Sequence, residues 1–267
     1  MTYQYLTVET KGRVAVVSIN RPESRNALCV GLMRELTAAA VEMRDDPVAG
    51  VVILTGGLKC FTAGVDLKDP EWQSIFNEPL PVRRRLFEMG PRMCAAWENL
   101  PQVTIAAIEG FCIGGGVSLV VACDFRIIAQ DAFFRIPEID LGMNYSWGTL
   151  PRLVNLVGPA YAKQWVLLAE QITASEALQS GLAQWSAPHG ETVKRALEIA
   201  EIIAAKPQAP VSMTKQTVNA CVASNKAVAH MDADQFALTL SSEDFQEGVQ
   251  AFLEKRKPVF NKKLPQK

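Results

Sequence analysis

The sequence predicts an α/β fold with a largely parallel sheet and an α-rich last third. Three observations carry that expectation. Short apolar runs alternate with helical spacing through the first half. Two of those runs lead into glycine-bearing loops. After about residue 155 the strand signals nearly stop. In order, RVAVVSIN (13–20) is an apolar strand ending at the turn RPES. In GLMRELTAAAVEMRDD (31–46), Leu32, Met33, Leu36, Ala40 and Met43 recur on one side of a helix. GVVILTG (50–56) reads as a second buried strand and FTAGVDL (61–67) as a glycine-containing loop. RRLFEMGPRMCAAWENL (84–100) reads as a helix kinked at Pro91, because proline lacks the N–H a helix interior uses. VTIAAIE (103–109) is a third strand, followed by three glycines and the helix VSLVVACD. FRIIAQ (125–130) and FFRI (133–136) read as short strands joined by a tight turn. Such alternation favours right-handed crossovers.

GPAYAKQWVLLAE (158–170) is helical, and Thr173 with Glu176 forms a capping-box pattern. Helices are expected over 191–205, 209–223, 226–240 and 243–256. The reading is one core over residues 1–200 and a helical region over 201–267. The apolar faces of that region must be covered by its own sheet or by a neighbouring subunit.

Composition narrows the function classes. The chain has 267 residues, 49% hydrophobic and 21% charged, with a net charge of −1. No global field favours nucleic acid or an anionic membrane. No apolar run approaches the roughly 18–20 residues of a membrane helix. The start lacks the order of a signal peptide and the end, LPQK, carries no sorting or lipidation signal, so a cytoplasmic location is expected. Six scattered cysteines, without a C-x-x-C pair, read as reduced, buried thiols. The only histidines are His189 and His230, in polar stretches. A histidine triad or histidine-rich metal site is therefore not expected, and no metal is. Proton chemistry near neutral pH then falls to a carboxylate with a shifted pKa.

Three segments carry candidate chemistry. FCIGGGVSL (111–119) joins a strand to a helix. A dinucleotide fingerprint starting at Gly114 fails, because its third glycine would be Leu119, and no Walker ending is present. Glycine amides at such a junction can bind an anion or a carbonyl oxygen that gains charge, or can simply make a tight turn. CFTAGVDL (60–67) also follows a strand and presents small residues, Ala63 and Gly64. Two loops at the carboxyl ends of neighbouring parallel strands converge on one crevice. In FFRIPEIDLG (133–142), Glu138 is flanked by apolar residues, which would raise its pKa. A plain turn carboxylate is the alternative there.

Together these segments resemble the crotonase (enoyl-CoA hydratase/isomerase) superfamily over nearly the whole chain. The resemblance runs through INRPESRNAL (19–28), CFTAGVDL, AAIEGFCIGGGVSLVVACDFRI (106–127), FFRIPEIDLGM (133–143), ASEALQSGL (174–182) and EGVQAFLEKRKPVF (247–260). The middle stretch looks closest to the dienoyl-CoA isomerase branch. The resemblance implies a spiral of ββα turns with a C-terminal helical trimerisation region, assembling as a homotrimer or a hexamer of two trimers. It implies that the amides of Val65 and Gly115 hold a thioester oxygen and that Glu138 is the acid/base. Arg25, Ala63 and the backbone from Val65 through Asp66 and Leu67 to Lys68 match CoA-contacting positions. Phe252 and Lys255 match positions that approach CoA, often from a neighbouring subunit. The CoA moiety of an acyl-CoA substrate is the only cofactor implied.

The sequence also departs from the family. Hydratases carry a second glutamate at the position of Ser118. Dienoyl-CoA isomerases carry aspartates at the positions of Ser118 and Ser146. With one carboxylate left, double-bond isomerisation is favoured; hydration with Ser118 helping to hold water is the alternative. A non-catalytic, for instance RNA-binding, protein on this fold is a third reading, and the near-zero charge opposes it. In MNYSWGTL (143–150), the bulky Met143, Tyr145 and Trp147 either shape the acyl pocket or pack against the helical region. Glu109 is expected at the surface or a subunit contact, and Asp66 and Asp124 as caps of local backbone.

Overall fold

The computed structural model describes residues 3–260, except the side chains of residues 224–226. Met1, Thr2 and the LPQK end, read above for sorting signals, lie outside the described residues. Among the described residues nine strands form two sheets. The strands are β1 (Leu6–Lys11), β2 (Val14–Ile19), β3 (Val51–Thr55), β4 (Val103–Ile108), β5 (Phe111–Ile113), β6 (Phe125–Ala129), β7 (Phe133–Arg135), β8 (Gln171–Thr173) and β9 (Trp185–Ala187). The main sheet has the order β1-β2-β3-β4-β6-β9. Only β1 is antiparallel, paired with β2 in a hairpin that sets Leu6 opposite Ile19.

Every residue of β3 and β4 is buried. These strands read as unbroken apolar runs because both faces are covered. On one face lie α1 (Val30–Asp45) and, past α2 (Pro70–Ser74) and α3 (Leu80–Phe87), α4 (Met89–Glu98). Leu32, Met33 and Leu36 pack there with Val52, Leu54 and Ala106, and the Trp97 indole donates to the Leu36 carbonyl at 3.0 Å. The other face carries Ile53, Ile105 and Ile127 against Ala196, Ile199 and Ala200 of α8 (Thr192–Ala204). Before α8 come α5 (Gly115–Val120), α6 (Thr149–Leu168) and α7 (Ala174–Ser180). After it come α9 (Gln208–Cys221), a 3₁₀ segment Ala223–Met231, α10 (Asp232–Leu240) and α11 (Glu243–Glu254).

The second sheet, β5-β7-β8, is extended by single bridges from Thr62 to Cys112 and from Leu28 to Val65. It thereby stacks the segments that leave successive strands of the main sheet. This is the repeating turn implied by the resemblance, and the α/β architecture agrees with it.

Several local readings need correction. FRIIAQ and FFRI are not partners across a tight turn: β6 belongs to the main sheet and β7 to the second. The helix read over 84–100 breaks at Glu88 instead of kinking at Pro91. The Pro91 ring opposes the carbonyl four residues back, on Phe87, so α3 ends there and Pro91 falls in the first turn of α4. The helix read from residue 158 begins at Thr149 and is kinked at Gly158 (φ 78°, ψ 166°), a conformation open essentially to glycine, with Pro159 next. Of the cysteines, Cys221 is exposed; the other five are buried. Burial pushes the Cys94 and Cys123 thiols up to about 12, which keeps them unreactive. The capping box at Thr173 and Glu176 is present as read. Among the described residues no helix is long and apolar enough to cross a membrane.

Candidate active site

The two glycine loops meet. The first, after β3, is tied down by Asn26, whose buried amide donates to the carbonyl of Gly56 at 2.5 Å and accepts from the Arg21 N–H at 2.9 Å. Thr62 Oγ1 donates to the Asn26 carbonyl at 2.6 Å, and the Ala63 N–H to the Arg25 carbonyl at 3.0 Å. The Leu28 N–H donates to the Gly64 carbonyl at 2.7 Å, and the Asp66 N–H to the Leu28 carbonyl at 3.1 Å. The Arg21 guanidinium pairs with Asp66 at 2.7 Å, and Asp66 Oδ1 accepts from the Lys68 N–H at 3.1 Å, the local backbone cap expected of it.

The second loop explains its three glycines one by one. Gly114 has φ 51° and ψ −118°, and a Cβ there would lie 2.5 Å from Glu138 Oε1. A Cβ on Gly115 would meet the Trp147 ring at 2.7 Å and Val65 Cγ2 at 3.3 Å. A Cβ on Gly116 would run into Thr62 Cγ2. The carboxyl, the indole and the first loop all crowd onto bare backbone. Among the described residues, neither the Val65 N–H nor the Gly115 N–H donates a hydrogen bond. Two unused donors therefore belong to residues that line one cleft.

Glu138 opens a 3₁₀ turn, Glu138–Leu141, after β7. The residue keeps some exposure, but its Oε2 is buried and has no hydrogen-bond partner among the described residues. Burial pushes its pKa up to about 8, against a smaller pull from its own amide. Val65, Leu67, Gly115, Ser118 and Glu138 line a cleft. Met143, Tyr145, Ser146 and Trp147 line its other wall.

Ser118 is buried, as is Tyr145. Ser118 Oγ lies 3.2 Å from the Tyr145 hydroxyl and 2.7 Å from Thr149 Oγ1, whose proton goes to the Ser146 carbonyl at 2.6 Å. The Tyr145 hydroxyl donates to the Gly114 carbonyl at 3.1 Å. Trp147 and Gly148 both adopt positive φ, 63° and 66°. Arg152 holds that turn through both carbonyls, at 2.9 and 3.0 Å, while Asp232 accepts from the Gly148 N–H at 2.6 Å. Arg152 is itself paired with Glu98 at 3.0 Å. The turn drives the Trp147 indole between Gly90 and Gly115.

Of the residues singled out from sequence, Arg25 and Lys68 are exposed on the paired loops, and Ala63 lies beside them, outside the cleft lining. Phe252 and Lys255 are exposed at the C-terminal end of α11, also outside the lining. Asn26, Arg152 and Asp232 were missed, as were the lining residues Trp72, Phe236 and Phe245. The aromatic residues sit at ordinary helical spacing, which does not announce the concavity they face. The positive-φ pair before α6 carried a faint signal in the glycine of MNYSWGTL.

Glu109 is not at the surface: it is 2% exposed. Its carboxylate accepts from the N–H of Thr192 at 3.1 Å, the Thr192 hydroxyl at 2.7 Å and the Gly190 N–H at 3.0 Å. It therefore caps α8. That role accounts for its nearness to Asp131 and His189, a trio with metal-type donor atoms and none of it in the cleft lining. Asp124 accepts from Thr104 N and Oγ1 at 2.7 and 2.9 Å, so the backbone it holds is that of β4, 20 residues away, not the local backbone expected, and it pairs with the buried Lys215 at 2.7 Å.

Two unused amides beside a protonatable carboxyl, walled by aromatic rings, can hold an oxygen that gains negative charge while a neighbouring carbon exchanges a proton. The comparisons with known proteins give the family. Residues 9–263 match the family model described as enoyl-CoA hydratase/isomerase, and the chain belongs to that family. It is 35% identical over 262 residues to a crotonyl-CoA hydratase of Syntrophomonas wolfei, covering 97% of this chain and 99% of that one. It is 33% identical to the mitochondrial enoyl-CoA hydratase of Pongo abelii, covering 97% of this chain and 88% of that one. Among solved structures, an enoyl-CoA hydratase from Mycobacterium avium subsp. paratuberculosis superposes with a TM-score of 0.86 at 27% identity, over 97% of this chain and 99% of that one. An enoyl-CoA hydratase/isomerase from Pseudoalteromonas atlantica gives 0.85 at 30% identity, over 96% and 100%.

Proposed function

We propose that the protein moves the double bond of an enoyl-CoA thioester, with Glu138 as its single acid/base. The observation that carries this reading is the Glu138 carboxyl: buried, unpartnered at Oε2, and the one carboxylate lining the cleft among the described residues. The amides of Val65 and Gly115 receive the thioester oxygen. Ionised Glu138 removes a proton from the α-carbon of a 3-enoyl thioester, and the electron pair moves onto that oxygen. The same carboxyl, now neutral, returns the proton to the γ-carbon as the electrons flow back. The product is the 2-enoyl thioester. No redox step occurs, so the reaction calls for no cofactor beyond the CoA portion of the substrate. Losing one such amide donor typically costs on the order of 100- to 1,000-fold in rate.

Exposed Arg25 and Lys68, with the backbone from Ala63 to Lys68, fit a CoA-binding edge beside the cleft mouth. Exposed Phe252 and Lys255 fit contacts to CoA in a neighbouring subunit. Exposed apolar side chains on the last helices, such as Met213, Val218 and Leu238, fit the covered face of a homotrimer or of two stacked trimers.

The names of the relatives at 33% and 35% identity favour a second reading, hydration of a 2-enoyl-CoA. The purified protein is offered a 3-enoyl-CoA and a 2-enoyl-CoA in parallel. The expected outcome is formation of the 2-enoyl chromophore from the first, abolished in Glu138→Gln. Hydration of the second with the first left untouched would replace isomerase by hydratase.

A further inference from the structure

The carbonyl of Gly114 and the N–H of Gly115 belong to one planar peptide unit. Whatever holds the oxygen therefore aims the N–H on its far side. One side-chain hydroxyl ends on that oxygen, with a second behind it. Tyr145 donates to the Gly114 oxygen at 3.1 Å, and Ser118 Oγ lies 3.2 Å from the Tyr145 hydroxyl. Thr149 Oγ1 lies 2.7 Å from Ser118 Oγ and gives its own proton to the Ser146 carbonyl at 2.6 Å. In a low-dielectric interior the bond from the phenol to the Gly114 oxygen is stronger than it would be in water. Burial holds the Tyr145 phenol far above its usual pKa, so it remains a donor at any working pH.

From this geometry we infer that Tyr145, braced by Ser118, is a positioning residue that aims and strengthens the Gly115 amide. The inference rests on the reading above, in which that amide receives the thioester oxygen. The Val65 side offers a comparison. There the peptide unit of Gly64 and Val65 is held at its carbonyl by the Leu28 N–H at 2.7 Å, a main-chain bond independent of side chains. On the Gly115 side the first turn of α5 supplies two further donors, the N–H groups of Val117 at 2.8 Å and Ser118 at 3.3 Å. Loss of Tyr145 thus weakens the amide without releasing it. The inference gives Ser118 a task distinct from holding water: it braces the phenol behind the oxyanion donor.

The test uses a cinnamoyl-CoA carrying a polarisable aromatic group, whose absorption moves to the red as its carbonyl is polarised. Binding to the full-length wild type is expected to produce a red shift. Tyr145→Phe should bind with a Kd within about threefold, lose half or more of the shift, and show kcat reduced roughly tenfold with KM little changed, less than the loss of a whole donor. Ser118→Ala should give a smaller loss of both. Where Tyr145→Phe does not fold, Ser118→Ala alone decides. A full shift and full kcat in the folded variants would overturn the inference. A wild type that binds the probe without any shift would instead overturn the oxyanion reading beneath it.

Discussion

Glu138 is a carboxyl whose burial disfavours charge, with only a smaller pull from its own amide the other way. Its pKa is pushed up to about 8, while in an unfolded chain it titrates near 4.5. Because the folded value is the higher one, the stabilising contribution is fully present below about pH 4.5. It is lost as pH rises toward 8, since only the unfolded chain gains by ionising in that window. Glu138→Gln removes this titration. The variant should melt above the wild type at pH 8, by an amount on the order of a few kcal/mol at most, and close to it near pH 5. Equal melting at both pH values would show that the carboxyl is solvated. Activity has its own sign. A base that must first be ionised gives a kcat/KM for 3-enoyl-CoA that rises with pH through about 8. A hydration in which protonated Glu138 supplies the α-proton would give a profile that falls over the same range.

At the scale of elements, the site is held by caps and turns more than by regular structure. Glu109 ends β4 and caps α8, tying the middle of the main sheet to the helix on its second face. Glu109→Ala removes three charge-assisted bonds and leaves buried donors unpaired. A loss of about 2–3 kcal/mol is expected, or roughly 4–12 °C in Tm for a chain of this size. Glu109→Gln should recover part of it, and kcat per folded molecule should be unchanged in both. A Tm change below about 1 °C would contradict the capping role. The Trp147–Gly148 turn is the other such device. Without Arg152 and Asp232 behind it, nothing in its local sequence would keep an indole in a positive-φ residue pressed against Gly115.

At the scale of the whole molecule, the cleft is shared between the strand-end loops and the last helices, because α10 and α11 supply Phe236 and Phe245 to its lining. Helices α9 to α11 leave Met213, Leu238 and Phe252 60–72% exposed, an apolar surface that a neighbouring copy would cover. Sedimentation should therefore give three or six chains of 29.2 kDa, and Leu238→Asp should lower that mass. A monomeric wild type at micromolar concentration would remove the proposed role of Phe252 and Lys255 in a neighbour's site.

By itself the sequence determined the α/β class, the strands β2, β3 and β4, the two glycine loops and the acid Glu138. Those features are local: apolar runs buried on both faces, bare glycines and a carboxyl in an apolar stretch all leave their mark within about ten residues. The second sheet and the caps at Glu109 and Asp232 left no such mark. They depend on partners 80 or more residues away, as between Glu109 and Thr192 or Gly148 and Asp232, or on three-residue strands too short to show a period. Only the tertiary structure decided what Ser118 touches. Its hydroxyl reads alike in sequence whether it faces water or a phenol, and the choice is made by Tyr145, 27 residues on, folding back onto the Gly114 carbonyl.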